Sequence, residues 1–179
     1  MCPQLDNLKE QREKWSQFPL LELEGKSSLK LVEILIIPIA NPLLIGLYQK
    51  GKLVEKVVGR EGEYTSRELP KLMEEILGRY HPIGFYYIRG PGSYMSIKLA
   101  YLFLKTLQIV YQIPFKGAEG FPFSENGVIK GIGNSCFIKK EGIIAIEKGL
   151  EPGRFQLPTQ LDYSLFKEET TPLYFLKAV

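Results

Sequence analysis

Tyr86-Tyr87-Ile88-Arg89-Gly90-Pro91-Gly92-Ser93-Tyr94-Met95-Ser96-Ile97-Lys98-Leu99-Ala100-Tyr101-Leu102-Phe103-Leu104-Lys105-Thr106-Leu107-Gln108-Ile109-Val110-Tyr111 is the stretch that decides the fold. Aromatic and β-branched residues up to Arg89 predict a strand from Gly84, glycine and proline punctuate a turn over Gly90 to Ser93, and strong helix formers follow. Strand, tight turn and helix make half of a βαβ unit. Gly90 and Gly92 permit backbone dihedrals that a side chain forbids, Pro91 fixes one φ between them, and Ser93 is placed to cap the helix.

Free N–H groups at a helix start favour an anion. No lysine directly follows these glycines and the P-loop spacing is absent, so a bare turn and an anion site both stay open at Gly90, Pro91, Gly92 and Ser93. At about 100° per residue, Lys98, Lys105 and Gln112 fall in one narrow stripe. Ile97, Leu99, Ala100, Tyr101, Leu102, Phe103, Leu104, Leu107 and Val110 cover most of the rest. A helix apolar nearly all round needs cover on two sides. One side is its own sheet; the other is a second layer of the chain or another protein.

Working outward, 179 residues at 45% hydrophobic and 24% charged suit one globular domain, or one full lobe with a small second one. A net charge of +3, with lysines and glutamates interspersed, gives no strongly basic face. Cys2 and Cys136 are too few for a disulfide framework or a cysteine metal cage, which points to a reducing cytosol. The charged start (Lys9, Glu10, Arg12, Glu13, Lys14) does not read as a signal peptide. Pro38, Asn41 and Pro42 interrupt the apolar run Ile34 to Leu47, so no membrane span is expected and the cytoplasm is the expected compartment.

Residues 1–28 read as an extension containing a short amphipathic helix, Leu5 to Trp15. Leu31 to Ala40 is a nearly continuous apolar run, as in a strand covered on both faces. Leu43 to Gln49 and Lys52 to Val58 follow as a hairpin around Lys50-Gly51. Thr65-Ser66-Arg67-Glu68 matches a capping box, opening a helix to Leu77 that Gly78 should stop. Leu69, Leu72, Met73, Ile76 and Leu77 form its apolar face. His81, the one histidine, falls in a Tyr-His-Pro connection and reads as a loop residue. Pro114 to Lys116 supplies a fifth strand. Beyond Gly120, Asn134 to Lys140 and Ile143 to Lys148 form a hairpin around Glu141-Gly142, and Pro172 to Leu176 ends the chain as a short strand. Gly131-Ile132-Gly133-Asn134 precedes no helix, so it reads as hairpin punctuation rather than a nucleotide loop.

Arg89-Gly90-Pro91-Gly92-Ser93-Tyr94, with Lys98 five positions after the serine, then the apolar helix and Ile113-Pro114, resembles the TsaB (YeaZ) family. That family usually reads Gly-Pro-Gly-Ser-Phe-Thr-Gly-Leu-Arg, helix, Gly-Ile-Pro. Thr65 to Leu69 stands where it has His-Ser-Glu and a leucine-rich helix, and Pro172-Leu173-Tyr174 resembles its Pro-Leu-Tyr ending. The resemblance implies an α/β fold: an actin/Hsp70/sugar-kinase-like lobe over residues 29–120, with a five-stranded mixed sheet, and a reduced second lobe over 121–179. The chain departs from the pattern at Met95-Ser96, usually Thr-Gly. It also has Pro38-Ile39-Ala40-Asn41 where the superfold keeps an aspartate for metal and phosphate.

The function so implied is a non-catalytic scaffold that binds TsaD, alongside the ATPase TsaE. Together these make threonylcarbamoyladenosine on tRNA beside the anticodon. In the family, the two helices of the first lobe pack against those of TsaD or of a second copy. On this chain that assigns partner binding to Leu69, Leu72, Met73, Ile76, Ile97, Tyr101 and Leu104, although ordinary core packing explains each of them singly. ATP and metal are expected on the partners, with none bound by this chain alone, and any tRNA contact is indirect. One histidine cannot build the paired-histidine metal site of the catalytic relative. The competing readings are a small kinase or ATPase holding phosphate at Gly90 to Ser93, and a diverged paralogue with another partner. A peptidase reading lacks a histidine near Ser93.

Overall fold

The computed structural model describes residues 29–175. The expected helix over Leu5 to Trp15, the rest of the 1–28 extension, and Leu176 at the end of the expected last strand lie outside the described residues. Eight strands are described: β1 (Lys30–Ile37), β2 (Leu44–Gln49), β3 (Lys52–Val58), β4 (Tyr80–Ile88), β5 (Phe115–Ala118), β6 (Ile129–Lys130), β7 (Ser135–Lys140) and β8 (Ile143–Lys148). Two α-helices, α1 (Thr65–Arg79) and α2 (Tyr94–Tyr111), interrupt the first five. The main sheet runs β3-β2-β1-β4-β5, with β1, β2 and β3 antiparallel and β4 parallel to β5. This is the five-stranded mixed sheet expected from the sequence. A three-stranded antiparallel sheet, β6-β7-β8, follows as a reduced second layer.

The apolar run of β1 is explained by cover on both faces. Val32, Ile34 and Ile36 point to the helices with Leu69, Met73, Ile76, Ile97, Ala100 and Leu104. Leu35 and Ile37 point the other way, to Tyr48, Tyr86, Ile88, Leu161 and Phe166. Strand alternation thus divides one hydrophobic run between two cores. Lys50 and Gly51, both at positive φ (50° and 76°), make the tight β2–β3 turn, and Glu141 and Gly142 repeat it between β7 and β8.

Several local signals resolve differently from the sequence expectation. The capping box does not form. Tyr64 is the N-cap of α1, and the Thr65 hydroxyl instead donates to the Pro38 carbonyl and contacts Ser96 Oγ, tying the starts of α1 and α2 together. Glu68, whose side chain is almost wholly buried, accepts from the Arg60 backbone N–H and guanidinium rather than reaching back along the helix. Gly78 does not stop α1, which runs on to Arg79; the Tyr80 N–H closes it on the Ile76 carbonyl and β4 begins at once. His81 is therefore in a strand, not a loop, with its ring edge-on to Tyr111 at 5.9 Å. Ser93 is the N-cap residue of α2 but makes no side-chain capping bond.

The segment after β8 closes the second face of the main sheet. It bridges to the free edge of β3 through Leu53 N–H to the Thr159 carbonyl and Leu161 N–H to the Gly51 carbonyl. It then lays Leu161 and Phe166 under the sheet and pairs Lys167 with Gly117 on the outer side of β5. One irregular segment thus caps part of both exposed sheet edges. The expected strand from Pro172 does not form among described residues 172–175. Leu173 N–H makes a single backbone bond to the Arg89 carbonyl, and Pro172 has no donor to extend a ladder.

Candidate functional site

The turn that leads into α2 is shaped by packing. Gly90 has φ +124° and Gly92 φ +152°, both in the region where glycine is favoured, and the Gly90–Pro91 peptide is cis. A Cβ on Gly92 would lie 2.7 Å from Ile39 Cγ2, and one on Gly90 2.8 Å from the Leu173 carbonyl oxygen. Both glycines therefore let the turn press against the end of β1 and the last described segment. The Gly90 carbonyl accepts from Gly120 N–H, which ties the turn to the start of the second layer.

From this turn α2 runs across the sheet. Of the residues assigned above to partner binding, Leu69, Met73, Ile76, Ile97 and Leu104 are fully buried in the chain's own helix–sheet core. Leu72 and Tyr101 are half-buried against the same core. The helix faces bearing these residues are turned inward, and the opposite side of α2 is left open to solvent. There Met95, Leu102 and Ile109 are 58%, 50% and 71% exposed, with Val110 at 62% beside them. Seven-residue steps drift only about 20° on a helix, so Met95, Leu102 and Ile109 form one line. Lys98 and Lys105 flank that line, and α2 carries no acidic residue at all. Sequence reasoning could have found this line, because 95, 102 and 109 are a plain heptad series; a helix apolar on every side hid which heptad faced out.

A cleft opens where the two sheets meet beyond Ile39. A cavity of 450 Å³ is lined by the α2 start (Gly92, Ser93, Tyr94, Met95), by Ile132 and Phe137, and by Tyr174 and Phe175. The rings of Tyr94 and Tyr174 stand 4.4 Å apart at one side of it. A second cavity of 630 Å³ shares Ile39, Lys130 and Phe155 with the first and extends past Asn41 and Pro42 to Lys56, Glu61 and Arg154. Asn41 lies in the loop between β1 and β2. Its Oδ1 accepts the Gly62 N–H, so this neutral amide serves the loop between β3 and α1. Among the described residues no group of three histidine, cysteine or carboxylate side chains is placed to hold a metal ion. Buried Cys136 lies elsewhere, its Sγ donating to the Leu150 carbonyl.

Solved structures similar to this chain include the following two. One is YeaZ from Pseudomonas aeruginosa, at 14% identity and a TM-score of 0.45, covering 71% of this chain and 70% of that one. The other is an uncharacterized protein with similarity to peptidase YEAZ from Pseudomonas aeruginosa, at 17% identity and a TM-score of 0.44, covering 71% and 69%. No family model and no curated protein matches the chain. Among the described residues no helix is long and apolar enough to cross a membrane.

Proposed function

We propose that this chain is a non-catalytic scaffold subunit of the TsaB type. Its α2 face binds a TsaD-like protein within the machinery that makes threonylcarbamoyladenosine on tRNA beside the anticodon. The observation that carries the reading is the line Met95, Leu102 and Ile109, with Val110 beside it: large apolar side chains exposed on an 18-residue helix whose other side is already packed. Full burial of such a side chain contributes roughly 1.5–3 kcal/mol, so half-exposed ones still hold much of that for a partner. The Gly90 to Ser93 turn, Lys98 and Pro172-Leu173-Tyr174, which resemble the family's motifs, support the same reading. ATP and metal then belong to the TsaE-like and TsaD-like partners, and tRNA is reached through them.

The test is light scattering on the purified chain, alone and mixed with TsaD from the same source. A stable mixed complex that Leu102→Glu and Ile109→Glu abolish, with unchanged melting temperature, is the expected result. Independent elution of the two proteins with and without nucleotide overturns it. A dimer of this chain that survives both substitutions places self-association on another face.

A further inference from the structure

The two sheets have four outer edges, and the chain covers part of three of them. Beside β3, Leu53 N–H donates to the Thr159 carbonyl and Leu161 N–H to the Gly51 carbonyl; beside β5, Lys167 pairs with Gly117; beside β6, Gly153 N–H donates to the Val128 carbonyl. All three covers come from the segment after β8. The outer edge of β8 itself has no strand or segment paired to it among the described residues. Its pairing with β7, from Ser135 opposite Lys148 to Lys140 opposite Ile143, runs without a bulge. Natural edges are blunted by a proline, a bulge or an inward charge, and Ile143-Ile144-Ala145-Ile146 carries none of these. Ile143 is 72% and Ile146 43% exposed. A regular row of unpaired N–H and C=O groups flanked by exposed isoleucines is a template for another strand.

We propose that β8 pairs antiparallel with β8 of a second copy of this chain, joining two three-stranded sheets into one of six strands. The strand is complementary to itself about Ala145. With Ala145 opposite Ala145, Ile144 falls opposite Ile146 twice on one face, and the two pairs make one apolar cluster across the join. On the other face Ile143 meets the stem of Glu147, whose carboxylate is already paired with Lys140. Lys148, which takes part in none of the five ion pairs among the described residues, comes to the Glu141-Gly142 turn of the other copy, so opposite charges meet at both ends. Slipping the pair by two residues sets Glu141 opposite Glu147 in one direction and Lys148 opposite Ile144 in the other, which fixes the register. The contact uses the same strand on both copies and therefore closes as a two-fold dimer. It includes no residue of α2, so it is independent of the partner surface proposed there and differs from the helix-to-helix contact with a second copy that the family resemblance implies.

Light scattering on the full chain carrying Leu102→Glu and Ile109→Glu, which removes the α2 face, is the first test. Expected is twice the monomer mass, falling to the monomer mass when Ile146→Lys is added, because each new lysine meets Ile144 of the other copy. An unchanged circular dichroism spectrum verifies that this variant folds. The second test is mild oxidation in a Cys2→Ser background. Ala145→Cys should give a disulfide-linked dimer, since residues directly opposite in an antiparallel pair stand about 4.5–5.5 Å apart at Cα, within disulfide reach. Ile143→Cys should not, because four residues of offset hold its two copies roughly 13 Å apart. Monomer mass at every concentration, a dimer indifferent to Ile146→Lys, or equal cross-linking at both positions overturns the proposal. If Ile146→Lys unfolds the chain, the cysteine pair decides: cross-linking through Ala145→Cys alone supports the edge contact, and its absence overturns it.

Discussion

Glu33 shows how one side chain can close a sheet face. From the middle of β1 its carboxylate accepts the Tyr163 hydroxyl at 2.8 and 2.9 Å, the Tyr86 hydroxyl at 3.4 Å and the Gly51 N–H at 3.1 Å. Tyr163→Phe should cost about 1 kcal/mol in urea unfolding, below the roughly 1.5–3 kcal/mol usual for a bond to a charged group because Tyr163 is exposed. Burial, and then the nearby Glu33 charge, push the Tyr86 hydroxyl up to about 12. The fold thus favours the neutral phenol, so this contribution is complete below the unfolded value of about 10 and is lost as pH rises toward 12. Phenolate absorbance should therefore rise late for Tyr86, and Glu33→Gln should bring that rise only part of the way down, because burial remains. Gly92→Ala should destabilise by roughly 1–3 kcal/mol, since the new methyl meets Ile39 in a backbone region that side chains disfavour. A smaller effect in thermal unfolding would mean the turn relaxes away from β1.

At the scale of elements, α2 has two apolar sides with different fates, and paired substitutions separate them. Leu104→Ala, inside the core, should cost 2–5 kcal/mol, while Leu102→Ala, on the exposed line, should stay within about 0.5 kcal/mol. Equal costs in chemical denaturation would mean that both sides are covered in the isolated chain. The start of α1 depends on charge instead of a capping box. Hydrogen bonds from Arg60 hold the Glu68 carboxyl below its ordinary value. A depressed carboxylate stabilises the fold above the unfolded value, about 4.3 for glutamate, and that stability is lost as pH falls through the lower folded value. Glu68→Gln should accordingly lower the melting temperature at pH 7 and flatten its decline below about pH 4; a parallel decline would show that other carboxylates dominate acid unfolding.

At the scale of the whole molecule, the segment after β8 covers one face of the main sheet and part of both its edges. Phe166 packs edge-on against Tyr86 at 4.9 Å and near Phe123 at 5.9 Å, so Phe166→Ala should cost about 3–5 kcal/mol by opening a cavity under the sheet. A loss below 1 kcal/mol in urea would show that the segment is dispensable to the core. The sequence by itself determined the order of strands and helices, because periodicity, tight turns such as Lys50-Gly51 and Glu141-Gly142, and the apolar run of β1 are local properties. It also singled out the Gly90 to Ser93 turn, whose glycines are needed for the backbone they adopt. The tertiary structure alone decided which apolar residues of α2 face out: a helix apolar nearly all round has no moment strong enough to orient it, and the sheet takes Ile97, Ala100 and Leu104. It alone moved Thr65 and Glu68 from a local cap to Pro38, Ser96 and Arg60, since a distant partner of better geometry or charge outcompetes one a turn away. It alone gathered Lys56, Lys130 and Arg154, because spacings of 74 and 24 residues carry no periodic signal and only the packing of two sheets brings such positions together.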